Sequence, residues 1–78
     1  MNPKLSVIGF LGAGNMSTAL IKGLIANGYP VDKIWASNRS EEKLKELAEQ
    51  GVHTTKENRE LAQEVDILVL AVEPPQIQ

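Results

Sequence analysis

With 78 residues and no cysteine, the chain is long enough for one small domain with a marginal core, and it excludes both a disulfide framework and a thiolate metal site. Its 8 basic and 10 acidic residues leave a net charge of −2, which argues against a nucleic-acid partner. No apolar run approaches the roughly 20 residues of a transmembrane helix, and Met1-Asn2-Pro3-Lys4 lacks the long apolar stretch and cleavage site of a signal peptide. A cytoplasmic protein without a membrane partner is therefore expected.

Leu5 to Phe10 (LSVIGF) reads as a strand buried on both faces and ending at glycines. Asn15 to Asn27 turns helical. Met16, Leu20, Gly23 and Leu24 recur at helical spacing, with Ile21 and Ile25 widening the stripe. Gly28 suits a left-handed C-terminal cap, and Pro30 forbids continuation. A second strand is predicted over Lys33 to Ser37. Ser40 then opens a helix as its N-cap, with Glu41 and Glu42 in the first turn where the helix dipole favours negative charge. Only Leu44, Leu47 and Ala48 are apolar in that helix, so most of it faces water. Glu41 and Lys45 are spaced for an i,i+4 ion pair. Gly51 closes the helix, and Val52-His53-Thr54 reads as a short edge strand. A small helix follows around Arg59 to Gln63. Asp66 leads into Ile67 to Val72, the most apolar run, which Glu73-Pro74-Pro75 ends.

This order, β-α-β-α-β-α-β, implies an α/β fold with parallel strands and right-handed crossovers. The expected architecture is a Rossmann-like doubly wound sheet, first portion only, with strand order 3-2-1-4. The most apolar strand, the fourth, finds nothing in the chain to pair with its outer edge. Residues 1–78 are therefore expected to form an incomplete dinucleotide-binding domain.

The first strand runs into Gly12-Ala13-Gly14-Asn15-Met16-Ser17, one residue away from the G-x-G-x-x-G/A fingerprint. Gly12 permits the tight turn, Gly14 lets backbone approach a pyrophosphate, and a small third residue lets helix and strand pack closely. Free N–H groups at the helix start then face the anion. Such a loop can also be a plain βα turn; its place between a predicted strand and helix favours the phosphate reading. Ser17 carries a Cβ and a hydroxyl, so packing there is looser than with Gly or Ala.

An NAD site usually places a carboxylate about 20 residues after the glycines, at the end of strand two. Here that stretch reads Ser37-Asn38-Arg39-Ser40. A carboxylate would repel a 2′-phosphate, whereas Arg39 can donate two N–H bonds to one. Ser37, Asn38 and Ser40 add further donors. NADP(H) is thus expected over NAD(H). The alternative is that Arg39 is a solvated turn residue and Ser40 only a cap.

Taken together, Ile8 through Met16, Ala19-Leu20 and Gly23-Leu24 resemble the opening of the pyrroline-5-carboxylate reductases. Ser37-Asn38-Arg39, Gly51-Val52, Asn58 and Asp66 fall where that family places similar residues, and Ala71-Val72-Glu73-Pro74 resembles its second cofactor-contacting strand end. The resemblance covers essentially all of the chain but only the first part of such an enzyme. It implies reduction of the cyclic imine 1-pyrroline-5-carboxylate to L-proline with NAD(P)H, in proline biosynthesis. Leu11, Gly12, Ala13, Gly14, Asn15 and Met16 would wrap the pyrophosphate. Asn38, Arg39 and Ser40 would hold the adenosine ribose and its 2′-phosphate. Asn58 would reach the cofactor from the loop after strand three, and Ala71, Val72, Glu73 and Pro74 would line the nicotinamide side. A C-terminal helical domain would supply the substrate site and the contacts of a homo-oligomer. Glu73 departs from the family's usual Lys, and Pro75 from its Gln or Gly.

Other readings of individual residues stay open. Asn58 can cap the helix that follows it as readily as touch a cofactor. His53, the single histidine, has no carboxylate obviously paired to it and is not expected to be catalytic. Trp35 reads as core, and Lys22 and Lys33 as solvated charges. No general acid is evident. The chain thus reads as the cofactor-holding part of an imine reductase. Another imine or hydroxy-acid reductase, or a non-catalytic NADP(H)-binding module, is the alternative.

Overall fold

The structure, a computed structural model, describes residues 5–12 and 14–70. Strand β1 (Ile8–Leu11) leads into helix α1 (Asn15–Ala26), and a 3₁₀ turn (Val31–Lys33) into strand β2 (Ile34–Ser37). Helix α2 (Glu41–Glu49), strand β3 (His53–Thr55), helix α3 (Asn58–Glu64) and strand β4 (Ile67–Leu70) follow. The strands form one parallel sheet of order β3-β2-β1-β4, the order expected from the sequence. The predicted extension of the fourth strand through Val72 lies outside the described residues.

Two helices end in the same way. After α1, the Gly28 N–H donates to the Ile25 carbonyl (3.0 Å) and the Tyr29 N–H to that of Leu24 (2.9 Å). After α2, the Gly51 N–H donates to Ala48 (3.0 Å) and the Val52 N–H to Leu47 (3.1 Å). Both pairs of bonds satisfy carbonyls that the helix itself leaves open, and both need a left-handed glycine between helix and exit. Val52 is thereby spent on the helix end and buried, so β3 starts one residue later than expected, at His53.

The core lies on one face of the sheet. Phe10, Ile34 and Ala36 meet Ile21 of α1, Leu44 and Leu47 of α2, and Val52. Side chains alternate along a strand, so Gly9 points to the opposite face, where α3 packs. A Cβ built on Gly9 would stand 2.6 Å from Val65 Cγ1 and 2.7 Å from Leu61 Cδ2. Leu61 is fully buried; the missing side chain is what lets α3 sit so close to β1.

The buried stripe of α1 differs from the expected one. Ile21 is fully buried and Ser17 nearly so, whereas Met16 and Leu20 are 44% and 47% exposed. The apolar residues of α1 cover more than half its circumference, so periodicity alone does not choose the inward side. Packing into the shared core chooses it: Ile21 joins Phe10, Ile34 and Leu47 there, and Ser17 one turn earlier is buried on the same side. Ile67, Leu68 and Leu70 of β4 are also exposed; among the described residues nothing covers them.

Gly9→Ala is expected to destabilise the fold by about 1–3 kcal/mol, the usual cost of overpacking. Urea unfolding would show it as a lower midpoint at unchanged slope.

Candidate functional site

The C-terminal ends of β1, β2 and β3 form one rim, and three loops leave from it. At the first, Gly12 has φ +84°, and its N–H donates to the Ser37 carbonyl (3.0 Å). A Cβ there would meet no atom within 4 Å, so backbone is open to an approaching group, and the left-handed conformation is what favours glycine. Leu11 is half-buried at the end of β1. Gly14 is the N-cap of α1 in extended conformation, and its carbonyl accepts from the Thr18 N–H (2.9 Å). No acidic residue lies in the first turn of α1, where Asn15 and Met16 are exposed. The helix start therefore keeps its partial positive charge. Ala13 lies outside the described residues. Ser17 is 1% exposed, and its hydroxyl has no hydrogen-bond partner among the described residues.

The second loop is Asn38-Arg39-Ser40. Ser37 ends β2 fully buried, and its hydroxyl donates to Asn58 Oδ1 (2.7 Å). Asn38 Oδ1 accepts from the Ser40 N–H (3.0 Å), a local turn that fixes the loop. The Asn38 N–H donates to the Thr55 carbonyl (3.3 Å), which ties this loop to the end of β3. Arg39 is exposed, and neither ion pair found among the described residues uses it. Ser40 occupies the N-cap position of α2 as expected, but its hydroxyl makes no capping bond.

In the third loop Thr55 Oγ1 accepts from the Glu57 N–H (3.0 Å). Glu57, not Asn58, is the N-cap of α3, and Asn58 is the first helical residue. The capping reading of Asn58 is thus corrected: its side chain turns back to the buried Ser37 instead. Ala71, Val72, Glu73 and Pro74 lie outside the described residues, so the rim is described without the loop after β4.

Charges around the rim also pair differently from expectation. Glu41 meets Lys56 (2.5 Å), not Lys45, because the parallel pairing of β2 with β3 brings the residue after β3 beside the start of α2. The hydrogen bond and charge of Lys56 hold the Glu41 carboxyl below the usual glutamate range. The pair stands at one end of a groove of about 330 Å³ between α2 and β3, lined among others by Leu44, Lys45 and Thr54. Lys22, expected to be solvated, pairs with Glu46 (2.8 Å). His53 stacks on Trp35 with ring centroids 4.9 Å apart. That leaves Trp35 half-buried rather than in the core. No group of three or more His, Asp or Glu among the described residues could hold a metal ion, and no described helix is long and apolar enough to cross a membrane. Sequence reasoning passed over Lys56; the signal available was its place directly after a strand predicted to lie beside β2.

The family model described as NADP oxidoreductase coenzyme F420-dependent matches residues 7–78. The chain belongs to this family. Among relatives of this oxidoreductase chain, a pyrroline-5-carboxylate reductase of Vibrio alginolyticus is 46% identical over 86% of the chain and 25% of the relative. The corresponding reductase of Escherichia coli is 41% identical over 86% of the chain and 26% of its own length. A solved pyrroline-5-carboxylate reductase from Coxiella burnetii matches with a TM-score of 0.84 and 48% identity, over 88% of this chain and 26% of that one. A solved imine reductase variant from Myxococcus stipitatus, in complex with NAD+, matches at 0.75 and 28%, over 87% and 23%. The chain spans about a quarter of the length of the curated relatives it matches.

Two outcomes follow. Ser17→Ala removes a buried hydroxyl without a described partner, so it is expected to stabilise the fold by about 1 kcal/mol in denaturant unfolding. Followed by NMR, the Glu41 carboxyl is expected to titrate below the ordinary glutamate midpoint and to return to it in Lys56→Met. The sign is that of a depressed carboxyl: its stabilising share is present above the ordinary midpoint and is lost as pH falls through the lowered one.

Proposed function

We propose that the chain is the first part of the dinucleotide-binding domain of a cytoplasmic imine reductase, which holds NADPH while a cyclic imine, 1-pyrroline-5-carboxylate, is reduced to L-proline. The observation that carries this reading is the tie between the glycine loop and the end of β2, the Gly12 N–H to Ser37 carbonyl bond of 3.0 Å. It holds the glycine loop beside the Asn38–Ser40 loop on one rim, where open parallel sheets bind dinucleotides. The names of the relatives support the imine substrate.

The residues present fit a dinucleotide. The backbone at Gly12 is open, and the start of α1 carries no acid. Leu11 through Met16 would hold the pyrophosphate with backbone N–H groups. Ser37 ends its strand with no carboxylate beside it. Asn38 and the hydroxyl of Ser40, which makes no capping bond, would bond the adenosine ribose, and Arg39, free of the described ion pairs, would take the 2′-phosphate. Asn58 would act through Ser37, holding the end of β2 in place for the ribose. Ala71, Val72, Glu73 and Pro74 are proposed for the nicotinamide side. NADPH, when bound, supplies the hydride; the chain's own residues bind and orient it. The substrate site and the homo-oligomer contacts are assigned to a C-terminal helical domain, and the exposed Ile67, Leu68 and Leu70 of β4 give further chain an apolar surface to cover. The 28% identity with an imine reductase supports a second reading, another imine as substrate.

Titration calorimetry of the chain with 2′,5′-ADP and with 5′-AMP tests the cofactor assignment. The 2′-phosphate compound is expected to bind at least about tenfold tighter, or 1.4 kcal/mol, and Arg39→Ala to lose most of that preference. Equal or reversed affinities overturn the NADP(H) assignment. For the full-length protein, NADPH consumption is expected with 1-pyrroline-5-carboxylate, and absence of turnover with any cyclic imine overturns the reductase reading.

A further inference from the structure

The ion pair of Lys56 with Glu41 joins the residue after β3 to the start of α2, next to the loop of Asn38 to Ser40. We infer that Lys56, by pairing with Glu41, masks a carboxylate that would otherwise repel a 2′-phosphate, and so acts as a positioning residue for the choice between phosphorylated and unphosphorylated adenosine. The inference rests on the proposed NADP(H) reading and deepens it.

The placement is specific. Glu41 begins α2 two residues after Arg39, directly behind the loop assigned to the 2′-phosphate, and its carboxylate meets Lys56 at the end of the groove between α2 and β3. Lys56 follows Thr55, whose carbonyl accepts from the Asn38 N–H, so the ammonium reaches Glu41 from the neighbouring strand at 2.5 Å. Neither side chain is held by packing: they are 53% and 76% exposed. The pair adds little stability by itself, and its effect on a nearby dianion is a matter of field. An exposed glutamate is a carboxylate at neutral pH, and Lys56 beside it favours that form further, so a 2′-phosphate close by calls for an offsetting cation. Of the other charges near the pair, Lys45 lies one turn on along α2 and lines the same groove, and Glu42 beside Glu41 adds to the repulsion. Lys56 is the cation in contact.

The test is the affinity ratio of 2′,5′-ADP to 5′-AMP at low salt, where exposed charges are least screened. The fold of every variant is checked by circular dichroism. Lys56→Met is expected to lower the ratio about fivefold, the order of one exposed charge acting on a dianion across a few ångströms of solvent. Lys56→Arg is expected to keep the ratio, and Glu41→Gln to raise it. In a Glu41→Gln background, Lys56→Met is expected to change it little, because there is no carboxylate left to mask. An equal loss in both backgrounds overturns the inference, since it means that Lys56 touches the phosphate directly. An unchanged ratio in Lys56→Met, with the unsubstituted chain preferring 2′,5′-ADP, overturns this inference alone. No preference in the unsubstituted chain overturns the NADP(H) reading and this inference with it.

Discussion

One backbone hydrogen bond, from the Gly12 N–H to the Ser37 carbonyl, sets the geometry of the rim. The β1–β2 register ends at Leu11 opposite Ser37. One more step of pairing is made at the residue where the chain must already turn into α1, and only a left-handed backbone does both. The same edge then repeats the device with different groups. Asn38 donates to Thr55, and the buried Ser37 hydroxyl donates to Asn58. The glycine loop, the loop of Asn38 to Ser40 and the start of α3 are thus linked in series by single bonds, and a shift of β2 along β1 would displace all three. Parallel strands of only three or four residues hold little register information in their side chains, so these end-of-strand bonds carry much of it.

Two small residues mark the layers on either side of the sheet. Gly9 admits α3 close to β1 on one face, and Ser17 of α1 is buried on the other. Their costs differ. Gly9 leaves no polar group behind, whereas Ser17 buries a hydroxyl with no described partner, a choice that an alanine would improve on for packing alone. The fully buried residues otherwise gather on the α1–α2 face. The α3 side has Leu61 as its one fully buried apolar side chain among the described residues, and beyond it Trp35 and His53 stack in partial exposure.

Much of this was legible in the sequence because the relevant signals are local. Alternating elements, glycine stops and the fingerprint dictate the strand order, and Gly28 and Gly51 end their helices where the chain says they should. What could not be read were choices made between elements. The wide apolar arc of α1 offers several inward faces, and packing into the core shared with β1, β2 and α2 selects the side of Ile21 and Ser17 over that of Met16 and Leu20. Asn58 has the chemistry of a cap, but a buried hydroxyl on β2 is a better partner than a solvated helix end that Glu57 can begin. Glu41 has a partner one helical turn away in Lys45, yet a lysine distant in sequence reaches it across the sheet edge.

That last exchange qualifies the rule by which the cofactor is read. The rule looks for a carboxylate at the end of the second strand and takes its absence as room for a phosphate. It treats charge as a property of position in the chain. In this fold the next carboxylate along the chain is displaced by a few residues into the first turn of α2, where the helix dipole favours it on its own account, and it pairs with Lys56, the residue that follows β3. Hydrogen bonds from Asn38 and Ser40 to a ribose phosphate would be short-ranged and little affected by salt, whereas the charge of Arg39 and the exposed Glu41–Lys56 pair would be screened within about 10 Å at ordinary ionic strength. Selectivity built on both would therefore have two parts, a geometric part that persists in salt and an electrostatic part that fades, and the share of Lys56 in the second belongs to a residue that a motif search centred on the glycines does not reach.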